Sequence, residues 1–167
     1  CSLDTLRQVL ATGSQSLHYW MGNWQPPIGI EFAVDPLNAS VLTMITFIAL
    51  VVSFYSKPFL ENEDWLHYGG LLTVGLCGMT VTGDVFNMYV YLEIMSLSGY
   101  GLIALGGKKS MLAAFRYLLV GTIAASFYLI GIGYLYAMTG SLNMADIGVR
   151  IQPFVHTPLF AFTVACF

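Results

Sequence analysis

The chain has 167 residues, 57% of them hydrophobic and only 9% charged, with a mean hydropathy of +0.73; soluble domains carry roughly a quarter charged residues, so this is the composition of a membrane protein. A formal net charge of -3, with Lys and Arg scattered rather than clustered, leaves no basic footprint for nucleic acid or an acidic membrane surface. Cys1, Cys77 and Cys166 lie far apart and no His/Cys ligand spacing occurs, so no disulfide, zinc site or other cofactor is expected.

The first 34 residues are the most polar part. Leu3, Leu6, Val9 and Leu10 form a helical remnant that fits a severed helix, while Cys1-Ser2 also fits the mature start of a bacterial lipoprotein. Tyr19, Trp20 and Trp24 are an aromatic group suited to a membrane interface. The alternation Ile28, Ile30, Phe32, Val34 suggests a short strand or hairpin on the membrane surface. Asp35-Pro36 is an N-cap followed by Pro at the first helical position, and opens a span that runs to about Ser56, where Lys57-Pro58 ends it. The loop "KPFLENEDWLH" follows.

From Leu66 to Leu105 only His67, Asp84 and Glu93 are ionisable, over about twice the length that one crossing needs. Two spans are therefore expected, about 67–83 and 86–105, broken at "TGD", Thr82 to Asp84, where Gly lets the backbone turn and Asp caps the next helix. "GGKK" closes the third span, and a fourth fills about 110–138, longer than the hydrocarbon core demands. The polar connection "TGSLNMADIGVRIQPFVH" is expected to carry a short surface helix capped by Ser141, and a fifth, incomplete span opens at Pro158 and runs to 167. The fold class is all-α, a polytopic transmembrane helix bundle with about four complete spans plus part of a fifth. Residues 1–34 form one segment and 35–167 the helical domain, and the chain reads as a fragment of a longer polytopic protein. Lys57, Lys108, Lys109 and Arg116 lie on one side against Arg7 and Arg150 on the other, which puts the N-terminal segment outside the cell.

The candidate chemistry is in "YVYLEIMSLSGY", residues 89–100. Tyr89, Glu93, Ser96 and Tyr100 recur at i-4, i, i+3 and i+7 and share one helix face. Glu93 lies about 18 Å by helical rise from the end near Leu105, too deep for its short side chain to reach water directly. It must be protonated, paired or beside internal water, the conditions under which a carboxylate takes up and releases protons. The alternative is a protonated Glu that fixes helix packing through a neighbouring Ser or Tyr. Asp84 reads first as an N-cap and second as a relay at an ion entrance. Arg116, about 9 Å into its span, either snorkels to the interface or tunes Glu93. His67 and His156, at span ends, suit the interface or the mouth of a proton pathway. A facing His pair, a Gly-rich phosphate loop and a Ser-His-Asp set are all missing, so enzyme chemistry is not expected in this segment.

"TGDVFNMYVYLEIMSLSGYGLIALG" and "AAFRYLLVGTIAASFYLIGIGYLYAMTGSLNMADI" resemble the proton-conducting antiporter subunits shared by multisubunit monovalent cation/proton antiporters, membrane-bound hydrogenases and respiratory complex I, and are most similar to the antiporter D subunit. The resemblance covers about residues 28–167, with Gly-Asp-x-Phe-Asn and the following carboxylate as its most specific piece. It implies that Glu93 matches the family's essential glutamate on the fifth helix, which faces a lysine on the seventh; their changing ion pair gates protons along a hydrated path. Arg116-Tyr117 matches a basic residue followed by an aromatic at the start of the sixth helix, where Lys is usual. The seventh-helix lysine is expected beyond Phe167, and the first helix and most of the second before Cys1. The implied setting is a multi-pass subunit of the cell (inner) membrane, partnered by other membrane subunits, protons and monovalent cations.

Overall fold

In the computed structural model the described residues are 2–11, 16–57 and 64–167. Cys1, on which the lipoprotein alternative falls, and most of the loop after the first span lie outside them. Helix α1 (Ser2–Ala11) precedes strands β1 (Leu17–Trp20) and β2 (Glu31–Val34). Then come α2 (Pro36–Ser56), α3 (Asp64–Val81), α4 (Val85–Ala104), α5 (Lys108–Thr139), the short α6 (Met144–Arg150) and α7 (Pro158–Cys166).

Local chemistry sets these boundaries. The Asp35 carboxylate accepts from the Asn38 N–H at 2.7 Å with Pro36 in the first turn of α2, and Asp84 does the same for Asn87 at 2.7 Å at the head of α4. Gly140 ends α5 in the left-handed region, at φ 68, where a glycine has no Cβ to clash. The cap of α6 differs from expectation. Asn143, not Ser141, holds that position, its Oδ1 accepting from Ala145 N and Asp146 N at 3.1 Å each. Ser141 Oγ instead accepts from Asn143 N at 3.3 Å. An Asn two residues later reaches the free N–H groups of the first turn, and so displaces the Ser.

The strands form one antiparallel hairpin in the register Leu17↔Val34 to Trp20↔Glu31. Its turn includes Gly22 and Asn23 at positive φ, 64 and 61, conformations that Gly and Asn adopt most readily.

Helices adjacent in sequence pack on one another: α1 on α2, α2 on α3, α3 on α4 and α4 on α5, with α7 returning to α5. Helices α2 and α5 are long and apolar enough to cross a membrane by length and composition. The 18 residues of α3 and the 20 of α4 are diluted by Asp64, His67, Asn87, Glu93 and several Tyr and Gly. Small residues let α3 and α4 approach closely: a Cβ at Gly75 would stand 2.9 Å from Met95 Cβ, and one at Gly78 would enter the Tyr91 ring. Val85, Ile132 and Ile147 form a core between the head of α4, the far part of α5 and α6, with Tyr89, Tyr128 and Leu135 packed around it.

Candidate functional site

Two faces of α4 are spoken for. Tyr91 and Met95 meet the glycines of α3, whereas Tyr89 and Tyr100 meet α5. The Tyr89 ring stacks on Tyr128 at 6.0 Å between centroids, and Tyr100 meets Tyr117 edge-on at 4.8 Å with its hydroxyl over Gly121. Glu93 lies between Tyr89 and Tyr100 on the face that turns to α5. Its carboxylate is within interaction range of the Tyr89 hydroxyl. The side chain is half-buried and pairs with no cation among the described residues. Ser96, also half-buried, is three residues on along the same stripe.

With Tyr100 against Tyr117 and Tyr89 against Tyr128, Glu93 is level with Ala124, beside the buried Ala125. Arg116 is eight positions from that level, about 12 Å by helical rise, and exposed. The structure therefore does not bring it to Glu93. His67, exposed near the start of α3, is at the end of the helix bundle where α4 ends. Asp84 is at the opposite side, about 13 Å by rise from Glu93. The predicted residues thus fall at three depths, and only Tyr89, Glu93, Ser96 and Tyr100 form one continuous stripe.

Asp84 belongs to a dense polar cluster. It is 6% exposed, and burial raises its pKa above the ordinary value, partly offset by the N–H groups of Asn87 and Phe86. The Thr82 hydroxyl accepts from Asp84 N at 3.3 Å and from Asn87 Nδ2 at 3.0 Å. The turn is paired on both sides: Gly83 N donates to Glu31 O at 2.8 Å, while Met144 N donates to Gly83 O and Val85 N to Leu142 O, both at 2.9 Å. The head of α4 is thereby clamped between β2 and the segment leading into α6.

Sequence reasoning missed the side chains that complete this clamp. Glu31 Oε2 accepts from Asn143 Nδ2 at 2.6 Å, and Glu31 Oε1 is 2.8 Å from His18 Nδ1 and accepts from Trp20 Nε1 at 3.4 Å. Partial burial pushes the Glu31 carboxyl upward, but the bonds from Asn143, His18 and Trp20 and the His18 charge outweigh it and hold the group below its ordinary value. One signal was legible: Glu31 stands out of phase with the apolar alternation of its strand. Its side chain therefore shares a face with those of Trp20 and His18 across the hairpin.

Residues 82–164 match the family described as "NADH:quinone oxidoreductase/Mrp antiporter, TM", and residues 20–68 match "NADH-Ubiquinone oxidoreductase (complex I), chain 5 N-terminus". The chain belongs to the antiporter-like membrane subunit family. It is a multi-pass membrane protein, as that family is. The N subunit of the NADH-quinone oxidoreductase of Desulforudis audaxviator is 45% identical over 90% of this chain and 33% of its own. The D subunit of the Na(+)/H(+) antiporter of Bacillus subtilis is 36% identical over 88% of this chain and 30% of its own. The fold matches a chain in the structure of the membrane-bound sulfane sulfur reductase, an archaeal respiratory membrane complex, at TM-score 0.85 and 28% identity, over 99% of this chain and 34% of that one. The chain thus spans about a third of the length of the relatives it matches.

Proposed function

We propose that this antiporter-like chain is part of a proton-translocating subunit of a multisubunit monovalent cation (Na+/K+)/proton antiporter, with Glu93 as its protonation site and a lysine on a later helix as its switchable partner. The observation that carries this reading is Glu93 itself: a half-buried carboxylate in mid-helix, on the face turned to α5, with no cation beside it among the described residues. Such a group is half of a switch. A cation that comes within about 4–6 Å favours its charged form and withdrawal favours the neutral one, so the carboxylate releases and takes up a proton in step with that motion. Tyr89 and Ser96 supply hydroxyls along its stripe, and Tyr100 continues it toward the far side. Asp84 and His67 mark the two mouths, and Arg116 acts at the interface. Helices α2, α3, α4 and α5 are four complete spans and α7 the opening of a fifth, with residues 1–34 outside the cell and other membrane subunits as partners.

A second reading is favoured by the greater identity to an NADH-quinone oxidoreductase subunit, 45% against 36%. In it the same carboxylate serves a redox-driven complex, where electron transfer in other subunits drives the partner cation. Both readings meet one experiment on the full-length subunit in its complex, in inverted vesicles. Proton flux is driven by added sodium or potassium, or by electron transfer to quinone, and Glu93→Gln is compared with wild type at matched assembly. Gln keeps the shape and removes the titration, and flux is expected to fall at least tenfold. The drive that sustains wild-type flux identifies the complex. Flux that persists in Glu93→Gln under both drives makes Glu93 a packing residue and the subunit an anchor.

A further inference from the structure

The clamp at the head of α4 contains a histidine that has no part in the Glu93 stripe. The His18 side chain is 45% exposed, whereas that of Glu31 is 14% exposed. The imidazole therefore samples the water outside the membrane while its carboxylate partner is held inside the clamp. Its Nε2 is 2.7 Å from Ser16 Oγ and its Nδ1 2.8 Å from Glu31 Oε1. Glu31 places its other oxygen on Asn143, 112 positions along the chain, at 2.6 Å, and its backbone carbonyl on Gly83. One residue thus ties the hairpin to the turn that opens α4 and to the segment that caps α6.

We propose that His18, Glu31 and Asn143 form a proton-responsive latch that sets the hold on the Thr82–Asp84 turn, and through it on α4 and Glu93, from the water on the hairpin side. Histidine changes charge between about pH 5 and 8. While the imidazolium is present it forms an ion pair with the Glu31 carboxylate; after deprotonation the neutral Nδ1–H still donates to that carboxylate, with Ser16 donating to Nε2, but the attraction between the two opposite charges is lost. Lower pH on this side therefore tightens the clamp and higher pH loosens it. The charged and titratable groups around the latch are Glu31 on β2, Asp35 at the head of α2, Asp84 in the turn, and Asp146 on α6. The last is already paired with Arg150 at 2.8 Å. His18 is the only cationic partner of Glu31 among the described residues. His18 and Glu31 are positioning residues, acting on the proton site through the turn. The transport half of this inference rests on Glu93 being the protonation site, and the structural half does not.

The test is amide hydrogen exchange on the full-length subunit in its complex, followed at residues 82–88 and 142–146 between pH 6 and 8.5 and corrected for the intrinsic rate. Wild type is expected to lose protection several-fold across this range. His18→Gln, which hydrogen-bonds without titrating, is expected to show no step, and His18→Lys, cationic throughout, to stay protected at pH 8.5. A step of unchanged size and midpoint in either variant overturns the proposal. If His18→Gln does not assemble, the Lys variant decides alone. The pH profile of proton flux on the hairpin side is measured on the same variants and should flatten with the step. A flux profile that does not move while the step does overturns the coupling to Glu93. Failure of the Glu93→Gln test is read separately, because the exchange step needs no transport.

Discussion

Asp84 occupies a position where two demands oppose each other. Its carboxylate satisfies the first-turn N–H of Asn87, yet its burial disfavours the charge. Because burial raises its pKa, the stability that Asp84 contributes is present below the ordinary value of 3.8 and is lost as pH rises. Asn caps a helix about as well as Asp and carries no charge, whereas Ala removes the cap at a cost of about 1 kcal/mol. Asp84→Asn is therefore expected to leave thermal stability at pH 7 unchanged or raised, and Asp84→Ala to lower it, as read by melting of the purified complex. Proton flux in the Asn variant then separates the roles, since a cap survives the change and a titrating relay does not. The spacing of "TGD" already announced the cap. The burial was not legible there, because it depends on Leu142 to Met144 folding over the turn from beyond the whole of α5.

Helix pairing rests on glycine and tyrosine. Gly78 lies under the Tyr91 ring, Gly101 under Tyr68 and Gly121 under the Tyr100 hydroxyl. Any side chain there has to displace an aromatic ring, an overpacking that costs about 1–3 kcal/mol. Gly78→Val and Gly121→Val are each expected to lower the melting temperature of the complex, while Gly133→Ala, with nothing within 4 Å of its added methyl, is expected not to. The helices themselves were readable from apolar length and punctuation: Asp35-Pro36, "TGD" and "GGKK" sit at the ends of α2, α3, α4 and α5. The partners of each face were not readable. Period 3.6 places Tyr89, Glu93 and Tyr100 on one stripe, but which neighbour that stripe meets follows from the packing of α5. The same limit applies to Arg116, whose distance along α5 from Glu93 is set by the register of Tyr100 against Tyr117 and Tyr89 against Tyr128.

On the scale of the whole molecule the polar end and the apolar body respond differently to acid. Glu31 and Asp146 both titrate below their ordinary values of 4.5 and 3.8, Glu31 through its bonds to Asn143, His18 and Trp20 against the pull of burial, Asp146 through Arg150 and Ser141. The stability they contribute is present above those ordinary values and disappears as pH falls through the lowered ones. Acidification below about pH 4.5 is expected to release amide protection in β2 and α6 while α2 and α5 keep theirs, as followed by hydrogen exchange. The clamp also has a consequence for how the protein is made. Its pieces arrive in the order Glu31, Gly83, Asn143, and the last is translated only after the whole of α5. The α3–α4 helical pair must therefore wait in the translocation machinery or the lipid with its turn paired to β2 alone and open on the α6 side. In a Thr82→Cys variant, the new thiol should be open to an impermeant maleimide in truncated chains that end at Gly107 and have been released into the membrane, and closed to it in released chains that reach Phe154.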